Sequence, residues 1–247
     1  MDVAVRFEDV WKSFDVRPVL KGLDLDVPRG ATLTVMGGSG SGKTVTLRLT
    51  AGLIKPDRGR ITVLGTDTTP LREEALLPLR QRMGFVFQGA ALFDSLTVYE
   101  NVAYPLREHA RLPEPTVAER VHTKLALVGL RDIDDKLPAE LSGGMRKRVG
   151  IARALVLEPE LVLYDEPTAG LDPTNARLIT KLVEGLKAQA VTETAMIVTH
   201  DLEFARTVSD LIAILIEGRI AQVGSPEAIF GSSQRDVQAF LAGDVPS

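Results

Sequence analysis

No cysteine occurs among the 247 residues, which excludes disulfides, thiolate metal sites and thiol catalysis together and permits a reducing compartment. A cationic excess is missing too. The 29 Lys and Arg face 33 Asp and Glu, a net charge of -4, which argues against a duplex nucleic-acid binder with its basic footprint. Long apolar runs are also absent: the longest, Leu211 to Ile216, has six residues. A membrane-spanning helix needs about 20, and Met1 to Arg6 have neither the basic flank nor the apolar stretch of a secretory signal. The chain is therefore expected neither to carry a leader nor to cross a bilayer by itself. No internal repeat, low-complexity tract or long linker stands out. What remains is an ordinary globular mixture, 45% apolar and 25% charged. At roughly 150 residues per domain, the length suits one compact domain with an inserted lobe.

Alternating segments at Val3 to Val10 and Val19 to Val27 predict antiparallel strands. An apolar strand at Ala31 to Met36, a glycine-rich loop and a helix from Lys43 to Leu49 closed by Gly52 come next. Arg60 to Leu64, Met83 to Phe87, Leu161 to Tyr164, Thr194 to Val198 and Leu211 to Ile216 predict further strands, with helical patterns between several of them. That alternation indicates a parallel sheet covered on both faces. From about Gly89 to Pro159 only helical signals occur. There, Thr97 with Glu100 and Thr116 with Glu119 predict capping boxes, the second ahead of an apolar face made by Val117, Val121, Leu125 and Val128. Glu217-Gly218 predicts a two-residue hairpin turn, and Ser225-Pro226 the start of a short helix.

Gly37-Gly38-Ser39-Gly40-Ser41-Gly42-Lys43-Thr44 fits G-x-x-x-x-G-K-[ST] between a strand and a helix, where the mechanism needs it. Glycines turn backbone N–H groups onto phosphate oxygens, Lys43 reaches the β- and γ-phosphates, and Thr44 can ligate Mg²⁺. A dinucleotide fingerprint fails, since from Gly38 or Gly40 the third glycine is missing. The strand ending in Asp165-Glu166 places two carboxylates where metal and water are handled, Asp165 for the metal and Glu166 for the attacking water. His200 follows a parallel strand and suits either a capping role or a γ-phosphate contact, whereas His109 and His122 fall in the helical lobe. Gln88 has a similar post-strand position. Phe14 suits either the core or a stack on a base. Ser142-Gly143-Gly144 at a helix start suits a second anion site or a plain N-cap, with Arg146-Lys147-Arg148 read as a solvated face.

The phosphate loop, Gln88, Leu141-Ser142-Gly143-Gly144, Asp165-Glu166, Gly170-Leu171-Asp172 and His200 occur in the order and approximate spacing of an ATP-binding cassette subunit, and the chain resembles that family along essentially its whole length. The resemblance implies an α/β fold of the P-loop NTPase (RecA-like) type: a mostly parallel sheet core, an N-terminal antiparallel β subdomain and an inserted α-helical subdomain. In a single domain, residues 1–89 and 159–247 would form the nucleotide-binding core, and residues 90–158 the insert with its signature segment. It further implies a head-to-tail homodimer using ATP and Mg²⁺. One chain would hold nucleotide through Gly37, Gly38, Ser39, Gly40, Ser41, Gly42, Lys43, Thr44 and Thr46, with Phe14, in the place of the usual tyrosine, on adenine. The other chain would supply Ser142, Gly143, Gly144 and a bridging Asp172. Thr44, Gln88 and Asp165 would attend the metal, and Glu166, His200, Lys43 and Gln88 the hydrolysis.

Within the family, Met145 at the usual glutamine position and the segment Leu96 to His109 resemble the ATPase subunit of Mla-like, Mce-associated phospholipid transporters. That likeness implies lipid cargo, an integral membrane permease seated near Gln88, Mce-type lipid-binding and small regulatory subunits as further partners, and a peripheral place on the cytoplasmic face of the inner membrane. Nucleic acid is not an expected partner. With the chain stopping soon after Leu241, a C-terminal clasp on the neighbouring subunit is not expected either. An importer ATPase for amino acids or other polar solutes is the alternative. A nucleotide-gated factor acting on nucleic acid or the ribosome would call for two cassettes, a long coiled coil or a basic surface. A non-hydrolysing scaffold sits poorly with intact Lys43, Asp165, Glu166 and His200.

Overall fold

A computed structural model of the chain describes residues 2–192 and 194–243. Its internal contacts define two compact units, Met1–Arg80 with Glu193–Ser247, and Gln81–Thr192.

The first unit opens with strands β1 (Val3–Phe14) and β2 (Arg17–Pro28), paired antiparallel. Phe7, Val10, Leu23, Leu25 and Val27 are buried while Arg6, Glu8, Asp24 and Asp26 stay in solvent, which is the period-two alternation of a sheet with one wet face. Both strands run beyond their expected ends because Phe14 pairs with Arg17 across a tight turn. Strand β3 (Thr32–Met36) is buried at every position, and helix α1 (Lys43–Thr50) follows the glycine-rich loop. Past its end Gly52 takes φ +66°, and the Leu53 N–H donates back to the Arg48 carbonyl at 2.9 Å, the glycine-terminated helix end that the sequence predicts. Strands β4 (Arg58–Val63) and β5 (Thr66–Asp67) complete an antiparallel sheet of order β2-β1-β4-β5. Helix α2 (Glu73–Arg80) ends in Arg80, whose guanidinium donates at 3.0 Å to each of the Ala51 and Gly52 carbonyls and so satisfies acceptors at the end of α1.

The second unit begins with β6 (Met83–Val86) and helix α3 (Val98–His109). Here the first expected capping box is present: Thr97 Oγ1 accepts from the Glu100 N–H, and Glu100 Oε2 accepts from the Thr97 N–H. The second is not. Helix α4 (Glu114–Leu127) starts ahead of Thr116, with Pro113 at the N-cap and Pro115 in the first turn. First-turn N–H groups have no helical acceptor, so a proline there loses nothing and begins the helix in place of Thr116. The apolar face is as expected, with Val117, Val121, Leu125 and Val128 buried and Gly129 at φ +69° ending it. A single 3-10 turn at Pro138–Glu140 leads to helix α5 (Gly143–Leu155). Strand β7 (Leu161–Asp165) then pairs parallel with β6, from Met83 opposite Leu161 to Val86 opposite Tyr164, and helix α6 (Pro173–Ala188) follows.

In β7 the Tyr164 side chain is fully buried, and its hydroxyl has no hydrogen-bond partner among the described residues. Burial pushes its pKa up, so the phenol stays neutral. A hydroxyl in that state costs about 1–3 kcal/mol of desolvation without return. Tyr164→Phe is accordingly expected to raise the melting temperature by about 2–4 °C per kcal/mol recovered, and a drop on thermal melting would mean that the hydroxyl is bonded after all.

The chain then returns to the first unit with β8 (Ala195–Thr199), α7 (Leu202–Val208), β9 (Leu211–Ile216), β10 (Arg219–Gly224), α8 (Pro226–Phe230) and α9 (Arg235–Ala242). Strand β3 runs parallel between β8 and β9, and β10 closes that edge antiparallel. The β9–β10 turn is the expected two-residue one, with Glu217 at φ +48° and Gly218 at φ +81°. Ser225 caps α8 by accepting from the Ala228 N–H.

Candidate functional site

The phosphate loop leaves the C-terminal end of β3, whose two neighbours both run parallel to it. Its glycines are required by space as well as by torsion. A Cβ at Gly37 would overlap the Leu215 carbonyl oxygen, and Gly42, the N-cap of α1, holds φ +109°. Among the described residues no side chain caps α1, and its first turn has no acidic residue, so the positive end of its dipole faces the loop. Lys43 is buried and its ammonium donates to the Gly37 and Gly38 carbonyls at 2.8 and 3.0 Å, which folds the loop over its own lysine. Ser39 and Gly40 are exposed, Gly38, Ser41 and Thr44 half-buried. The Ser41 Oγ is a buried oxygen with no hydrogen-bond partner among the described residues, the kind of polar group a polyphosphate or its metal would satisfy. A glycine-walled cradle, a cation at its base and hydroxyl oxygens suit a triphosphate with Mg²⁺, a hard ion that takes oxygen donors. Thr46 lies fully buried, its hydroxyl donating to the Lys43 carbonyl at 2.6 Å within α1.

In the same unit, His200 follows the end of β8. Because Met36 of β3 is paired with Thr199, His200 leaves the sheet at the same edge as Gly37. It is exposed, and the adjoining turn is pinned by an Asp201 N–H bond to Thr199 Oγ1 at 3.1 Å and by Asp201 capping α7. Phe14 is 43% exposed at the tip of β1 with the Lys12 ammonium 5.4 Å from its ring centroid, so it is a surface ring open to stacking and not a core residue.

The second unit brings Asp165, Glu166 and Gln88 to one edge. Asp165 closes β7 and, like Glu166, is 8% exposed; Gln88 is exposed just beyond the parallel partner β6. Glu166 has φ +46°, in the left-handed region that a side chain with a Cβ avoids. Its carbonyl accepts from the Ala169 N–H at 3.1 Å and from Lys147 Nζ at 3.0 Å.

Ser142 caps α5 by accepting the Met145 N–H at 3.2 Å and is exposed. Gly143 and Gly144 form the first turn. At Gly144 a Cβ would meet Asn175 Oδ1 at 2.5 Å, a close approach that explains the glycine. Asn175 Nδ2 in turn donates to Asp172 Oδ2 at 2.5 Å, while Asp172 Oδ1 accepts the Thr174 and Asn175 N–H groups as the N-cap of α6. These bonds, the Asn175 side chain first, hold the Asp172 carboxyl below the ordinary range. Ser142-Gly143-Gly144 and Asp172 are thus joined through Asn175, a residue that no sequence motif marks. The reading of Arg146-Lys147-Arg148 as a solvated face holds for Arg146, which is exposed, and is corrected for Lys147, which is buried, while Arg148 is half-buried. Arg146 donates to the Leu141 carbonyl, Arg148 to those of Val128 and Gly129, and Lys147 is buried. Each cation meets backbone carbonyls, whose positions only the folded chain defines.

Comparison with known proteins agrees with this geometry. The profile of the ABC transporter family matches residues 20–169. The chain is 40% identical over 243 residues to a probable ribonucleotide transport ATP-binding protein of Mycobacterium leprae, covering 98% of this chain and 70% of that one. It is also 40% identical over 227 residues to the intermembrane phospholipid transport system ATP-binding protein MlaF of Escherichia coli K12, covering 92% and 84%. A dimeric ATP-binding cassette solved in a post-hydrolysis state with ADP and phosphate superposes with a TM-score of 0.83 at 31% identity, covering 90% of this chain and 98% of that one. The cassette cbiO1 of Clostridium perfringens gives 0.85, also at 31% identity, over 98% and 96%. With a glycine cradle built for phosphate, a carboxylate pair at a strand end and these relatives, the chain belongs to the ATP-binding cassette family of transporter ATPases.

Proposed function

We propose that this ATPase drives phospholipid movement between membranes, as a head-to-tail homodimer attached to an integral membrane permease at the cytoplasmic face of the inner membrane. The observation that carries the cargo is the 40% identity to MlaF across 92% of the chain. The dimer is supported by the two anion-type helix ends on one chain, α1 behind the phosphate loop and α5 behind Ser142, with the Asp165-Glu166 pair at the end of β7 to serve them. ATP is held by Gly37 to Thr44 of one chain, with Phe14 against adenine, and covered by Ser142 of the partner subunit; Asp172 bridges the two sites. Thr44, Gln88 and Asp165 would hold Mg²⁺, which supplies charge neutralisation on the β- and γ-phosphates when bound. Lys43 and His200 stabilise the negative charge on the transferring phosphoryl group. Glu166 orients water for attack on the γ-phosphorus as the bond to ADP breaks. Loss of γ-phosphate contacts then releases the dimer, and the permease, resting near Gln88, follows. Mce-type lipid-binding and small regulatory subunits belong to the same reading.

A second reading, transport of a polar solute, is favoured by the likeness to the Mycobacterium leprae ribonucleotide transport protein. The two separate on purification of the chain from native membranes with its co-purifying subunits. Retained phospholipid and ATP hydrolysis responsive to it support the first, whereas a co-purifying solute-binding protein and stimulation by its solute would replace phospholipid with that cargo.

A further inference from the structure

Lys147 is a cation that the chemistry above leaves unused and that the fold has buried, at 6% exposure. It lies on α5 one turn beyond Gly143 and Gly144. Burial pushes its pKa down, a lowering that the nearby Glu166 and Asp165 carboxylates oppose only in part. An ammonium is costly to bury and is normally left in water. This one is aimed at a single backbone atom, the Glu166 carbonyl oxygen, at 3.0 Å. Glu166 is also the residue whose backbone sits in the left-handed region, at φ +46°. A charge-assisted bond is stronger than the neutral Ala169 N–H bond to the same oxygen, so of these two bonds the one from Lys147 is the firmer hold on that carbonyl.

We infer that Lys147 is a positioning residue for ATP hydrolysis, its ammonium holding the Glu166 carbonyl so that the left-handed turn aims the Glu166 carboxylate. The inference rests on the assignment of Glu166 proposed above. It has a structural corollary: the helix that presents Ser142 to the opposite nucleotide also holds the Glu166 backbone carbonyl of its own chain, so a shift of α5 on closure is transmitted to the Glu166 peptide through one bond.

The test uses the full chain with its co-purifying membrane subunits. Lys147→Met keeps the apolar stem and removes the donor, and Lys147→Arg restores a donor. Lys147→Met is expected to lower kcat about tenfold to hundredfold, the scale of a misplaced catalytic group, with KM and equilibrium ATP affinity within about twofold. Lys147→Arg is expected to recover part of the loss. On a Glu166→Gln background, Lys147→Met should subtract nothing further, since the group it positions no longer acts. A kcat within about twofold of the unchanged protein, or the same fractional loss on both backgrounds, overturns the inference. Should Lys147→Met not fold, Lys147→Leu, which also lacks a donor, decides by the same criterion: a kcat loss at constant KM supports the role, and any other pattern overturns it. If Glu166→Gln alone leaves turnover intact, the Glu166 assignment falls and this inference with it. If Glu166→Gln abolishes turnover while Lys147→Met does not lower it, only the inference falls.

Discussion

Glu166→Gln is expected to bind ATP as the unchanged protein does and to lose about 10²- to 10⁴-fold in steady-state turnover, the range ascribed to a positioned general base. The substitution is isosteric, so packing around a side chain on a residue only 8% exposed is preserved. The Lys147 bond is preserved too, because it reaches the backbone carbonyl and not the carboxylate. What is lost is the negative charge that orients and polarises water. Phosphate release and equilibrium nucleotide binding, measured on the same preparation, check both halves. Unchanged turnover would remove Glu166 from the mechanism.

Lys43→Ala is expected to behave oppositely, losing affinity as well as turnover. The Lys43 ammonium holds the Gly37 and Gly38 carbonyls at 2.8 and 3.0 Å, so its removal strips the loop of an internal tie as well as a cation beneath the phosphates. Hydrogen bonds to charged groups contribute about 1.5–3 kcal/mol each, and one such loss corresponds to roughly 10- to 150-fold in ATP affinity. Turnover should fall below detection at ordinary nucleotide concentrations. Titration calorimetry with ATP is the check; affinity within about threefold of the unchanged protein would mean that Lys43 does not support the nucleotide.

The strand β3, the glycine loop and α1 are legible in the amino-acid order because the glycine spacing, the lysine and the Gly52 terminator act over a few consecutive residues. Thr97, Ser142 and Ser225 announce helix starts for the same reason, each side chain meeting an N–H three residues on. Thr116 misleads because the helix already begins at Glu114, its first turn accommodating Pro115, so Thr116 lies inside the helix and not at its N-cap. For Phe14 the sequence leaves core and base-stacking both open, since alternation along β1 says which face a residue takes and not whether anything covers the strand's tip. Its 43% exposure places it outside the core. Asn175 carries no sequence signal because its importance lies in what it touches, Asp172 three residues away and Gly144 on another helix.

The amino-acid order alone determined the phosphate cradle, the carboxylate pair at the end of β7 and the family to which these belong, because such features are written in local spacing and backbone preference. Tertiary structure alone decided that Lys147 is buried beneath Glu166, that Glu166 adopts a left-handed backbone and that Asn175 joins Gly144 to Asp172. Those outcomes depend on carbonyls and side chains brought together across 19 residues in one case and 31 in another, where packing and not sequence spacing chooses the partner.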